Sequence, residues 1–300
     1  MKVVCITNDV EATTIQGDAY SEDAASKLSI IALPEVLELY KKYNVKATFF
    51  CLGQLIEKHP EIINMILADG HEIACHGYSH DSNQAFDMLS FEEQKAHLQK
   101  AKSIIEATAK NSIVSFRAPA LRVNEYTPKA LIESGFSIDS SVASQRLDAF
   151  MSLGSKRKLK WIVAPRSVYK IKINDLTKNG GCNITEVPVS AFGLPYISTL
   201  MRISPFLTKI TRFFLYLETK NNNKKVVTFL FHPGENLEPE QNIKPVRRTK
   251  NPISHLLTGV LRTYLKKRNL GRKCMPLLEE QILYWKKKGY QFATIKEITL

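Results

Sequence analysis

Two short segments of this 300-residue chain carry residue types that do hydrolytic chemistry. They are Asp9-Val10-Glu11 near the N-terminus and His76-Gly77-Tyr78-Ser79-His80. Two imidazoles separated by three residues can meet on one metal ion. Two carboxylates separated by one residue project to the same face of a strand, because side chains alternate with a period of 2. A zinc-type hydrolytic site needs about three protein ligands, an open position for water and a free base. The two segments supply that set, with one carboxylate as the third ligand and the other as the base.

The elements that must position these residues follow from local patterning. Residues 2–7 form a β-branched apolar run that ends at the acidic pair. Residues 32–43 have helical periodicity, with Pro34 near the start. Residues 45–51 read as a second strand, 54–69 as a helix stopped by Gly70, and 71–75 as a third strand running into the histidines. A helix is predicted over 90–109, with Ser90 and Glu93 spaced as a capping box. Residues 113–116 form a strand leading into Arg117-Ala118-Pro119-Ala120. A helix over 126–134, closed by Gly135, and a strand over 136–138 then lead to Asp139. The pattern is irregular over 146–178. Later strands fall at 184–189 and 226–231, the second ending at His232, and a last helix and strand at 279–288 and 290–295. Alternating strands and helices with short loops argue for a parallel sheet. Every candidate functional residue falls at the C-terminal end of a strand, where (β/α) barrels build their active sites.

Composition is that of an ordinary globular protein, 44% hydrophobic and 24% charged. The five cysteines (Cys5, Cys51, Cys75, Cys182, Cys274) are odd in number and contain no CxxC pair, which suggests reduced core thiols in a reducing compartment. The N-terminal apolar run is too short for a secretion signal, and no apolar stretch is long enough to span a bilayer. A cytoplasmic protein is expected. The net charge of +13 is concentrated late, in 156–160, 244–250, 262–273 and 286–288. Solvated faces are the ordinary reading of such runs. Attraction to an anionic membrane or a phosphorylated substrate comes next. No nucleic-acid motif accompanies the charge, so nucleic acid is not expected as a partner. Residues 200–217 and 253–264 are amphipathic, apolar and basic. They read either as packed helices or as a lid or membrane-facing surface.

The strand ends appear in the order Asp9/Glu11, His76/His80, Arg117/Pro119, Asp139, His232. With Ala47-Thr48-Phe49-Phe50, Gly70-His71-Glu72-Ile73, Phe116-Arg117-Ala118-Pro119 and Leu230-Phe231-His232, the chain resembles the polysaccharide deacetylase family, carbohydrate esterase family 4, also called the NodB-homology domain. The resemblance runs from about Val3 to His232 and resumes at 289–295. It implies an α/β fold, a distorted (β/α) barrel of about seven parallel strands. A single catalytic domain over 1–300 is expected, with a basic amphipathic insert at about 196–273. Asp9 matches the catalytic base and Arg117 the arginine that holds it. His76 and His80 match the imidazole ligands. The family most often has two adjacent Asp residues, but Val10 cannot ligate. The third ligand is therefore assigned to Glu11, as in Asp-x-Glu members. His232 matches the general acid, and Asp139 the carboxylate that orients it. The tryptophan usual near that carboxylate is missing, with Trp161 a candidate replacement. Ala120 and Leu121 stand where the family often has Tyr-Gly, leaving Pro119 and the Ala120 N–H as substrate and oxyanion contacts.

The implied cofactor is one divalent metal ion, Zn first, with Co, Ni or Mn able to substitute. The implied reaction removes an acetyl or formyl group from nitrogen on an amino sugar. Because no export signal is found, a lipid-linked or nucleotide-linked sugar and a peripheral contact with the inner membrane face are expected. Two alternatives stand: hydrolysis of another non-peptide C–N bond, as in allantoinase-like and cyclic-imidase relatives, or a non-catalytic glycan-binding module. Retention of both Asp9 and His232 favours an enzyme.

Overall fold

A computed structural model describes residues 2–12, 20–145, 156–222, 225–239 and 260–298. The strands are β1 (Val3–Val10), β2 (Ala47–Cys51), β3 (Glu72–Cys75), β4 (Ser115–Phe116), β5 (Ile138–Asp139), β6 (Tyr169–Lys172), β7 (Asp175–Asn179), β8 (Thr185–Glu186), β9 (Ala191–Phe192), β10 (Leu194–Pro195), β11 (Val227–Phe231) and β12 (Gln291–Phe292). The apolar run at the N-terminus becomes β1, buried along its whole length. Such burial on both faces is the mark of a central parallel strand. Seven strands run parallel in the order β11-β1-β2-β3-β4-β5-β8, as the sequence predicts. The sheet curls, and its two ends meet between β8 and β11. There the Ser190 N–H donates to the Thr228 carbonyl at 3.0 Å and the Thr228 N–H donates to Ser190 Oγ at 2.9 Å. The result is a distorted (β/α) barrel.

Helices α1 (Glu22–Lys27), α2 (Leu33–Lys42), α3 (Gly53–Lys58), α4 (Glu61–Ala68), α5 (Phe91–Ala109) and α6 (Thr127–Glu133) connect the strands on the outside. The predicted capping box at Ser90 and Glu93 forms at the start of α5. The main core lies between strands and helices and includes Tyr40, Phe49, Ile66, Leu98, Leu131 and Trp285. A smaller cluster of Val3, Cys5, Phe50, Ala74, Ile138, Val187 and Ile295 fills the barrel interior. Val3, Cys5, Thr7 and Asp9 share this inner face by period 2. The interior therefore grades from apolar at the N-terminal end to polar at the end where the chemistry sits. All five cysteines are free thiols, as expected.

Two expectations change. The irregular stretch 146–178 lies partly outside the described residues (146–155). The remainder yields a hairpin, β6 and β7, added antiparallel to β8. The expected insert at 196–273 is not one insert, because the barrel strand β11 runs through it. Helices α7 (Ser198–Ile203) and α8 (Pro205–Thr219) precede that strand. The basic run 244–250 and residues 253–259 lie outside the described residues.

Two histidines, His71 buried and His97 half-buried, tie this fold to pH. His71 Nδ1 accepts the Ala47 N–H at 3.2 Å, and His97 Nδ1 accepts the Tyr78 N–H at 3.1 Å. Burial, with Lys46 and Lys100 nearby, pushes each imidazole down to about 4. In the unfolded chain both take a proton near 6.5, so between pH 6.5 and 4 the unfolded state binds more protons. Stability is expected to be full above pH 6.5 and to fall toward pH 4, by on the order of 2–3 kcal/mol per histidine at the limit. Thermal melting from pH 8 to 4.5 checks this; a midpoint that stays flat below pH 6.5 would refute it.

Candidate active site

His76 follows directly on β3, where its N–H donates to the Cys51 carbonyl at 2.9 Å. Its Nδ1 lies 2.8 Å from the Arg117 carbonyl. A carbonyl only accepts, so Nδ1 carries the proton and Nε2 keeps its lone pair. Burial lowers the His76 imidazole against the pull of Asp9 and Glu11, which favours the neutral, ligating form. The loop onward to His80 turns at Gly77 with φ +79°, and a Cβ there would stand 3.0 Å from His97 Cε1. Only glycine fits both conditions. Glu11 lies one residue beyond β1. The ligating atoms of Glu11, His76 and His80 all come within 4.8 Å of one another. Glu11 Oε2 is 3.1 Å from His80 Nε2, yet it is buried with no hydrogen-bond donor. A buried carboxylate oxygen left over between two imidazoles fits a cation. One oxygen and two nitrogens suit a zinc-like ion with an open position.

Asp9 sits beside this group on the same face of β1. Its Oδ1 accepts from Arg117 Nη1 at 2.8 Å, while its Oδ2 points to His76 Nε2 at 3.8 Å and His232 Nε2 at 3.9 Å. Burial alone would raise this carboxyl. The Arg117 guanidinium, with His76 and His232, instead holds it below the usual carboxylate range. One oxygen is thus anchored and the other faces the centre, in charged form.

His232 follows directly on β11 and turns its Nε2 to Glu11 Oε1 at 3.3 Å. Its Nδ1 faces Ser198 Oγ at 3.2 Å and Glu235 Oε1 at 3.7 Å. Glu235, its side chain 11% exposed, is bound by Arg202 at 2.9 Å. Burial would raise its carboxyl, but Arg202 and His232 hold it down. Asp139, expected in this orienting role, is elsewhere. Its Oδ1 accepts from Ser141 Oγ at 2.7 Å and its Oδ2 from the Ser141 N–H at 3.2 Å. Its other partner is Glu186 on the adjacent strand, and burial raises both carboxyls, with the Asp139 charge raising Glu186 further. The physical reason is register: β5 pairs with β8 so that Asp139 stands opposite Glu186, and it meets that carboxyl rather than His232.

A cavity of about 270 Å³ opens beside the ligands, lined by Glu11, His80, His232, Arg202, Lys27 and Leu270 among others. Pro119 and Ala120 do not line it. The chain after Arg117 turns through Ala120 and Leu121, both at positive φ, and Leu121 borders a separate 140 Å³ cavity with Trp161. Leu121 and the replacement tryptophan thus face that second cavity, and the expected oxyanion contacts Pro119 and Ala120 line neither cavity. Ser198, Arg202 and Glu235 were not foreseen. Glu235 had a signal, since it stands three residues after His232 on a Pro-Gly turn, close enough to fold back. Ser198 and Arg202 had none.

The matched part of a family model described as polysaccharide deacetylase covers residues 31–138, which include His76, His80 and Arg117. The peptidoglycan deacetylase of Helicobacter pylori is 34% identical over 112 residues, 37% of this chain and 37% of the relative. The chitooligosaccharide deacetylase of Sinorhizobium fredii is 34% identical over 86 residues, 29% and 39% of the two chains. The chain thus spans well under half the length of these relatives. Among solved structures, a probable polysaccharide deacetylase from Pseudomonas aeruginosa PAO1 aligns with a TM-score of 0.63 at 15% identity, over 98% of this chain and 88% of that one. Puue allantoinase aligns with a TM-score of 0.59 at 14% identity, over 97% and 87%. Both likenesses concern the fold. Sequence match, barrel and the order of strand-end residues agree, and over residues 31–138 the chain is similar to the polysaccharide deacetylase family.

Proposed function

We propose that this chain is a divalent-metal hydrolase that removes an N-acyl group, acetyl first, from an amino sugar of a glycan or oligosaccharide. The observation that carries this reading is the meeting of Glu11, His76 and His80 with an Arg117-anchored Asp9 and with His232 beside one cavity. The names of the relatives support the substrate class. In this reading Glu11, His76 and His80 hold the ion, Zn first. When bound, the ion supplies Lewis-acid polarisation of the acyl carbonyl and of the attacking water. Asp9 Oδ2 takes a proton from water, and Arg117 keeps that carboxylate charged and oriented. His232 Nε2 delivers a proton to the leaving nitrogen, so that amide and water give a carboxylic acid and a free amine. Glu235 and Ser198 hold the far side of the His232 ring.

The deciding experiment pairs elemental analysis with acetate release from N-acetylglucosamine oligomers. About one metal per chain is expected, lost when His76 and His80 are both replaced by Ala. Asp9→Asn should keep the metal and lose about 10²–10⁴-fold in kcat. Release of product from allantoin but not from the oligomers would replace the substrate assignment. No metal after reconstitution would end the hydrolase reading.

Arg117→Lys keeps a charge but loses the fork, leaving burial less opposed at Asp9. The acid limb of the kcat/KM profile should move to higher pH. An unmoved limb would remove Arg117 from this role. Glu235→Gln should lower kcat by about tenfold or more with KM and metal content little changed; a loss confined to KM would make Glu235 a substrate contact instead.

A further inference from the structure

Helix α8 is built inside out. Its buried residues are Thr208, Thr211, Arg212, Leu215 and Thr219, a mostly polar stripe. Its outward stripe is Phe206, Ile210, Phe213, Phe214 and Leu217, with Phe206 70% and Phe213 49% exposed. These follow the i, i+4, i+7, i+8, i+11 spacing of one helix face. A surface helix normally does the reverse. The inward contacts show that this orientation is fixed. Arg212 donates to Gln281 Oε1 at 2.9 Å and Glu280 Oε1 at 3.0 Å, and Thr219 Oγ1 is 2.6 Å from the Tyr290 hydroxyl. Rolling the helix to bury its aromatics would strand these groups without partners.

The apolar face continues beyond the helix. Phe192 on β9 stacks on Phe214 with ring centroids 4.4 Å apart and planes 5° from parallel. The Arg166 guanidinium sits 5.7 Å from the Phe192 ring, and Val163, on the turn that leads into Arg166, is 77% exposed. The charge of the region is positive. Glu218, the acidic residue of α8, is bound by Arg166 and Lys225. Lys209, exposed on the helix, shares Glu280 with Arg212, and Lys288 lies 4.5 Å over the Tyr216 ring, so cations still outnumber carboxylates here.

We propose that the outer face of α8 with Phe192 lies on a bilayer containing anionic phospholipid. The apolar stripe enters the boundary between headgroups and acyl chains, and the net charge of +13 draws the surface in. A second copy is a poorer occupant, because two chains of this charge repel. Nucleic acid offers no counterpart to a stripe of Phe, Ile and Leu. No described helix is long and apolar enough to cross a membrane, so the contact is interfacial. The cavity is involved as well. Helix α7, whose Thr199 and Arg202 line it, joins α8 at Ser204, so docking would bring that wall to the headgroups.

The test is flotation of the full chain with phosphatidylcholine vesicles, with and without phosphatidylglycerol, at low and high salt. The wild type should float with the anionic vesicles at low salt and be released by high salt. A Phe206→Ser/Phe213→Ser variant should melt like the wild type, keep its metal content and bind at least about tenfold more weakly. Three outcomes would overturn the proposal: no flotation of the wild type at low salt, equal flotation of the variant, or a wild-type dimer in solution that the variant dissolves. Metal content and deacetylation are read separately, so failure here leaves the proposed reaction standing.

Discussion

The Asp9–Arg117 pair lies wholly inside the barrel, and its geometry sets where the other site residues can be. Arg117 donates from Nη1 to Asp9 Oδ1 and Thr7 Oγ1, from Nε to the Ser140 carbonyl and from Nη2 to Ser140 Oγ. Its guanidinium also stacks 4.2 Å from the Phe50 ring. One side chain thus ties β1, β2, β4 and the end of β5 together. A buried pair of this kind need not stabilise the fold relative to an apolar replacement, although breaking it costs about 3–5 kcal/mol. The better account is functional. A carboxylate buried beside two imidazoles would tend to take up a proton; the guanidinium keeps it charged and fixes which oxygen faces the centre.

The same cation explains the carboxyls at the far end of its reach. Asp139 and Glu186 are buried together near Arg117, and both are pushed upward by burial. The Asp139 charge raises Glu186 further, while the Arg117 guanidinium nearby works against burial at both. Asp139 therefore acts through Ser141, whose Oγ accepts the Ala118 N–H at 2.9 Å, on the chain just after Arg117 rather than on His232.

Much of the fold was legible because a barrel repeats a simple local rule. Strands 2–7, 45–51 and 226–231 are apolar and β-branched, helices end at Gly70 and Gly135, and Ser90 with Glu93 caps α5. Period 2 alone put Asp9 and Glu11 on one face. Illegible were the places where position depends on distant strands. β4 and β5 are two residues each, so their register carries almost no sequence signal, and the fate of Asp139 turns on which neighbour β8 presents. The α8 stripe was visible as amphipathic, but its direction was not. That depends on Gln281, Glu280 and Tyr290, 68 to 71 residues away in the chain.

The two groups proposed to handle protons are supported in different ways, and this difference bears on how far sequence can be read. Asp9 is held across the barrel by Arg117, 108 residues away; only a match to several strand-end motifs in order could suggest that pairing. His232 is faced by Glu235 three residues on, within one turn of chain. A carboxylate at that spacing reaches the ring nitrogen opposite the reactive one without help from the sheet. With such a local partner, the orienting carboxylate no longer has to come from a strand across the barrel. Asp139 is then free to hold the chain just after Arg117, and the departures from the usual pattern around Asp139 and Ala120 become consistent with one another. What remains fixed is the arrangement: Arg117 stands behind Asp9 and Glu235 behind His232, each leaving the atom proposed to work turned to the cavity side.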